Sequence, residues 1–137
     1  MEDVFLHHIS ITTKDLSRAI SFYGDVLGFS QIERPLFPLG GAWLRAGKVE
    51  LHLIDFPQGS FRNTKFVGTD DIHFAMRVKD FENIIRKLNQ HGYRDDLDES
   101  DKKRLIVKRK SMAGYSQLYV MDPDSHLIEI NAAYRVA

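Results

Sequence analysis

The spacing of apolar residues changes period several times along the chain, and each change marks an element. VFLHHISIT, bounded by Thr13 and Lys14, is a short β-rich run. After it, Leu16, Ala19, Ile20, Tyr23, Val26 and Leu27 recur at helical spacing. Asp15 is a good N-cap, because its carboxylate can accept from the first free backbone N–H groups, and Gly28 suits the left-handed residue that ends a helix. Three strand candidates follow: FSQIER, GAWLRA and KVELHLI. The same order then returns, with DIHFAMRV as strand, Asp80 as cap, and Phe81, Ile84, Ile85 and Leu88 as the buried stripe. Glu82 near the start of this second helix, and Arg86 and Lys87 toward its end, match the helix dipole. RLIVKRK is the next strand, and SQLYVMD and HLIEINA form a hairpin around Asp122-Pro123-Asp124-Ser125. The pattern predicts an α+β fold of two βαβββ modules within one domain, 1–137. The modules fall at about 4–55 and 71–134, and the Pro- and Gly-containing run 56–70 is a linker.

The repeat carries chemistry as well as shape. His8 stands seven residues before Asp15, and His73 seven before Asp80. Each half ends in a strand with a carboxylate, Glu50 in the first and Glu129 in the second. Two imidazoles and two carboxylates at matching places could bind one metal ion. Strand alternation puts His8 on one face with Ser10 and Thr12 and its neighbour His7 on the other, so the repeat selects His8. Glu50 shares a face with His52, and Glu129 with Leu127 and Asn131, while Leu51, Leu53, Ile128 and Ile130 would pack against the helices. A glutamate on such a strand is expensive to bury unpaired, so it calls for either a metal or a structural arginine.

Composition narrows the choice of ligand. At 137 residues, with 43% hydrophobic and 28% charged side chains, the chain reads as soluble and globular. Lysines and arginines balance aspartates and glutamates to a net charge of zero, which argues against nucleic acid or an anionic membrane as partner. The absence of cysteine excludes disulfides, thiol nucleophiles and sulfur-ligated metal, leaving N and O donors. No run approaches the roughly 20 apolar residues of a membrane span, and a cytoplasmic protein is expected. The charge-rich stretch 93–110 reads as a solvated loop leading into a strand, with Lys108 and Lys110 as candidates to line a groove.

HHISITTKDLSRAISFYGDVLGF resembles the opening of the glyoxalase and bleomycin-resistance group, the vicinal oxygen chelate superfamily. QLYVMDPDSHLIEI is similar to that family's closing hairpin, with Ser125 where the family has glycine. The resemblance implies modules whose strands curl into an open, cup-shaped mixed sheet around one divalent ion (Ni, Zn, Fe, Mn or Co), commonly in a homodimer. It carries the ligands onto His8, Glu50, His73 and Glu129. His52 is an alternative to Glu50, which is favoured for matching Glu129 in the repeat. The implied activity is that of a metal-dependent lyase or isomerase that chelates adjacent oxygens of a small substrate and stabilises an enediolate-like intermediate, with Glu129 or Glu50 as base. A drug-binding or thiol-transferase resistance protein and a small Fe(II) extradiol-type dioxygenase are the alternatives. Bacterial glyoxalase I proteins use an arginine four residues after the first histidine and an asparagine four after the first glutamate to hold glutathione. Thr12 and Ile54 stand there in this chain. A smaller or more apolar substrate is therefore expected, with Trp43, Phe37 and Tyr119 as candidate walls and Arg34 as a candidate contact to an acidic group.

Overall fold

A computed structural model describes residues 3–134. It contains two compact units, one running to Phe61 and the other beginning at Arg62. The first holds β1 (His8–Thr13), α1 (Leu16–Ser21), β2 (Ser30–Ile32), β3 (Gly41–Ala46) and β4 (Val49–Asp55). The second holds β5 (His73–Arg77), α2 (Phe81–Gln90), β6 (Ile106–Lys108), β7 (Ser116–Met121) and β8 (Leu127–Ala132). Each unit is βαβββ, as the hydrophobic pattern predicts, and each forms one mixed four-stranded sheet, in the orders β1-β4-β3-β2 and β5-β8-β7-β6. In both, the first strand lies parallel to the last while the other pairings are antiparallel.

Both helices start where their caps dictate. Asp15 accepts from the Arg18 N–H at 3.1 Å, and Asp80 from that of Asn83 at 3.1 Å. Gly28 and Gly92 follow the helices with φ of 82° and 89°, a region that glycine enters without a Cβ penalty. The first helix departs from expectation beyond Ser21, where it widens into a π-helical turn, Phe22–Val26, with the Leu27 N–H bonded to the Phe22 carbonyl at 3.1 Å. The wider turn buries two consecutive aromatics, Phe22 and Tyr23, together with Val26. Regular 3.6-residue spacing would turn one of the pair away. Leu51, Leu53, Ile128 and Ile130 are all buried, as their alternation requires.

One expectation needs correction. The first strand begins at His8 rather than at Val4, and Val4, Phe5 and Leu6 are exposed. The run 56–70, read as a linker, contains the boundary between the units and is tied to each of them. The Ser60 carbonyl accepts from Thr12 Oγ1 at 2.8 Å in the first unit. In the second, Arg62 donates to Asp71 Oδ2 at 2.9 Å, the Ser125 carbonyl at 3.0 Å and the Phe66 carbonyl at 3.1 Å. The charged stretch is solvated as expected; Arg94 pairs within it with Asp96 at 2.6 Å, and Arg109 reaches Glu82 of α2 at 2.7 Å.

The β7–β8 turn has a measurable cost. Ser125 is buried with φ of 68°, the one positive-φ residue other than glycine among those described. Its N–H donates to the Asp122 carbonyl at 2.9 Å, while Asp122 Oδ1 accepts from the N–H groups of Asp124 and His126 at 2.9 Å each. A side chain in the left-handed region costs about 1–2 kcal/mol, part of which glycine gives back through the unfolded state. Ser125→Gly is therefore expected to stabilise the fold by about 1 kcal/mol. A rise in the urea midpoint at unchanged slope would show this, and a fall would contradict it.

Candidate functional site

In the first unit, the β1–β4 ladder sets His8 level with Glu50 and Ser10 level with His52. Three rings stack on this face. His8 lies on His52 with centroids 4.0 Å apart and planes 13° off parallel, and Trp43 of β3 covers His52 at 4.1 Å and 5°. Phe37 continues the row at 6.0 Å from Trp43, and the Arg34 guanidinium lies 4.9 Å over Phe37 while donating to the Leu39 carbonyl at 2.6 Å. Phe37 is half-exposed, so this end of the row faces solvent.

Glu50 sits beside the stack with both oxygens engaged. Oε1 meets His52 Nε2 at 3.0 Å, and Oε2 accepts from Arg45 at 3.4 Å. The hydrogen bond from His52, with Arg45 assisting, holds the Glu50 carboxyl below its ordinary range against the opposing effect of desolvation. His8 Nδ1 meets His7 Nδ1 at 2.8 Å, so His7 braces the ring that the repeat selects.

The second unit treats its carboxylate differently. Glu129 on β8 is only 6% exposed and carries three hydrogen bonds from uncharged side chains. Gln117 and Tyr119 of β7 donate to Oε1 at 2.9 and 3.1 Å, and Asn131 donates to Oε2 at 2.6 Å. Arg77 fixes which way Asn131 points by donating to its Oδ1 at 2.8 Å. No lysine or arginine among the described residues pairs with Glu129. Its nearest basic neighbour is His73, whose Nε2 lies 3.7 Å from Oε1.

The His73–Glu129 gap is chemically specific. His73 Nδ1 lies 2.8 Å from the Asp71 carbonyl, which can only accept, so Nδ1 carries the ring proton. In the neutral imidazole, Nε2 is then a bare lone pair facing a carboxylate oxygen. Two acceptors 3.7 Å apart are spaced so that one metal ion could take both as ligands. A metal-binding histidine commonly donates its other N–H to a backbone carbonyl, as His73 does. The donor set of imidazole and carboxylate thus fits a divalent ion of the borderline class.

Of the residues singled out in the sequence, the first unit gathers His8, Glu50, His52, Trp43, Phe37 and Arg34 into one row, and the second gathers His73, Tyr119 and Glu129. The pairing of Glu50 with Glu129 is not what the ladders give. Glu50 stands opposite His8, whereas Glu129 stands opposite Ala75, two residues beyond His73. Tyr119 is a buried donor to Glu129 rather than a free wall. Sequence reasoning missed Gln117, Arg77 and Arg45, although the alternation that places Tyr119 on a face places Gln117 there too. Asp122, Asp124 and His126 also converge, each with a ligand atom within 4.8 Å of the others, close enough for a metal ion to bridge. These residues build the β7–β8 turn through the Asp122 bonds already described.

The chain matches the model of the Glyoxalase/Bleomycin resistance protein/Dioxygenase superfamily over residues 5–130, and it belongs to that family. It is 28% identical over 127 residues to Glyoxylase I 4 of Arabidopsis thaliana, covering 91% of this chain and 68% of that protein. It is 26% identical to the glutathione transferase FosA of Serratia marcescens, covering 92% of this chain and 79% of the other. Among solved structures, a glyoxalase family protein from Bacillus anthracis superposes with a TM-score of 0.73 at 20% identity, over 98% of this chain and all of that one. The fosfomycin resistance protein FosX from Listeria monocytogenes, complexed with Mn(II) and 1S,2S-dihydroxypropylphosphonic acid, gives 0.71 at 13% identity over 98% and 95%. These likenesses show the vicinal oxygen chelate fold.

Tyr119 offers a test of the carboxylate's setting. Burial, and then the hydrogen bond to Glu129, push its hydroxyl up to about 12. A folded-state value above the unfolded one adds stability that is complete below pH 10 and is lost as pH rises toward 12. Tyr119→Phe should lower stability at neutral pH by about 1.5–3 kcal/mol, the range for a hydrogen bond to a charged group. Denaturant unfolding at several pH values checks this, and the variant should lack the part of the alkaline decline that Tyr119 causes.

Proposed function

We propose that this family member is a divalent-metal-dependent lyase or isomerase. In this reading the candidate ligands are His8 with Glu50 or His52 in the first unit, and His73 with Glu129 in the second. The observation that carries the reading is the His73 Nε2 lone pair 3.7 Å from a buried Glu129 oxygen, with the imidazole proton already committed to Asp71. When bound, such an ion supplies Lewis-acid stabilisation to an oxyanion formed next to a carbon that loses its proton. Glu129 is the acceptor for that proton. Its Oε1 is held by two donors and its Oε2 by Asn131 alone, so Oε2 has the freer lone pair. Glu50 is the alternative base, though Arg45 and His52 already occupy both of its oxygens.

A small substrate with two adjacent oxygens is the expected partner. The Phe37–Trp43 row offers an apolar wall, and Arg34 lies at its solvent end to meet an acidic group. Thr12 and Ile54 provide neither of the polar groups that glutathione-using relatives place there. A homodimer carries over from the family resemblance, and a cytoplasmic location from the sequence reading. A second reading, transfer of a thiol to an epoxide in a resistance protein, draws support from the likeness to FosA and FosX.

Protein purified without chelators should contain about one divalent ion per chain by elemental analysis. Protein that no divalent metal can load would remove the reading. Glu129→Gln should abolish turnover in a metal-reconstituted panel of hemithioacetals, 2-oxoacids, catechols and epoxide drugs, and full activity would count against Glu129 as base. The hemithioacetal of methylglyoxal and glutathione should turn over poorly. A fast, metal-dependent rate on it would restore a glutathione-using assignment.

A further inference from the structure

We propose that the second unit carries a further binding site, for a small aromatic carboxylate, on the face of its sheet opposite Glu129. Such a site needs no metal. Strand alternation separates the two faces. Glu129 and Asn131 of β8 share one face with Gln117 and Tyr119 of β7, and hydrogen bonds join the four. Ser116 and Ala132, partners in the β7–β8 ladder, therefore point to the other face. Along most of that face Leu118, Val120, Ile128 and Ile130 fill the space and are fully buried. At its end the side chains shrink to Ser116, Ala132 and Ala133, and a cavity of about 150 Å³ remains between them and Phe81 at the start of α2.

The volume and charge of the cavity define its occupant. An apolar cavity of about this volume takes up one benzene ring. Phe81, Tyr134 and the two alanines supply the apolar wall, and Lys79, Arg109 and Glu82 supply the charged one. Arg109 neutralises Glu82, donating to its two carboxylate oxygens at 2.7 and 3.2 Å. Lys79 has no ion-pair partner among the described residues, so the lining keeps one uncompensated positive charge. A monoanion matches that charge. A phosphate dianion would exceed it and be repelled by Glu82, and a cation would be repelled by Lys79.

The hydroxyls of the lining concentrate polar recognition at one point. Ser116 Oγ donates to the Arg109 carbonyl at 2.7 Å, and Tyr134 Oη to that of Ser111 at 3.2 Å, so both hydroxyl protons are committed within the protein. Lys79 is left as the donor for a guest. The ring thus lies against the alanines and Phe81, with the carboxylate turned outward to the exposed ammonium. Ala132 follows Asn131 on β8, and Asn131 donates to Glu129 Oε2 at 2.6 Å. A guest in the cavity therefore sits behind the Glu129 site and shares a strand with it, without competing for the same face.

The test is NMR titration of the wild-type protein, Lys79→Gln and Ala132→Leu with benzoate and with its uncharged analogue benzyl alcohol. Benzoate should bind the wild type saturably, with nuclear Overhauser contacts from its ring protons to the Ala132 methyl and the Phe81 ring. Benzyl alcohol should bind at least about tenfold more weakly, the scale of a lost hydrogen bond between charged groups. Lys79→Gln should weaken benzoate by at least about tenfold and leave benzyl alcohol unchanged. Ala132→Leu, which fills the cavity, should abolish binding of both. Lys79 is exposed, so its variant decides the matter even if Ala132→Leu fails to fold. Absence of saturable benzoate binding to the wild type would overturn the proposal, as would ring contacts to Tyr119 or His73 on the opposite face. Equal affinity of wild type and Lys79→Gln for benzoate, or of the wild type for benzoate and benzyl alcohol, would overturn it too.

Discussion

In each unit the first strand lies parallel beside the last, and the hydrogen bonds of that one ladder decide which side chains can meet the leading histidine. Side chains alternate with a period of two, so a slip of two residues keeps a group on its face but changes its neighbours. Parallel strands need a crossover, and here the crossover begins with a helix whose aspartate cap lies a fixed distance past the histidine. The cap ties helix to strand, and the ladder ties that strand to the one bearing Glu50 and His52 or Glu129. The stacked rings of the first unit and the facing acceptors of the second both follow from those registers.

On this shared backbone the two units solve the burial of a glutamate in opposite ways. Glu50 is given a cation, Arg45, and an imidazole N–H, so its charge is compensated within the sheet. Glu129 is given three neutral donors, which satisfy its hydrogen bonding without a lysine or arginine among the described residues. Hydrogen bonds remove much of the cost of taking polar atoms out of water, yet an uncompensated buried charge still attracts a counterion. Glu129 thus meets its one basic neighbour, His73, at 3.7 Å, whereas Glu50 meets an arginine and a histidine at 3.4 and 3.0 Å.

The βαβββ repeat was legible because its signals are local. Apolar period, an aspartate cap and a terminal glycine each act within one or two turns of chain. Face assignments were legible for the same reason, and alternation alone put Asn131 beside Glu129. The π turn was hidden because two adjacent buried aromatics still lie close to a helical stripe when only spacing is read. The match between the glutamates misled because KVELHLI and HLIEINA look alike as strings, whereas their levels against β1 and β5 depend on intervening loops of different length. Arg62 was hidden by its setting, a polar run with glycines and a proline, and its Met121 and Ser125 partners lie about 60 residues on, where only folding brings them near.

Arg62 also determines where a proton resides. Its guanidinium holds the Asp71 side chain, the turn carbonyl of Ser125 and the carbonyl of Phe66, and so immobilises the peptide whose oxygen receives the His73 Nδ1 proton. The tautomer of a side chain on a sheet edge is thereby fixed by a residue from a stretch with no regular structure. If that stretch opened, the imidazole could exchange tautomers or turn over, and the lone pair now aimed at Glu129 would be replaced by an N–H. Whether His73 presents a lone pair or an N–H to Glu129 is thus settled about ten residues upstream of the histidine.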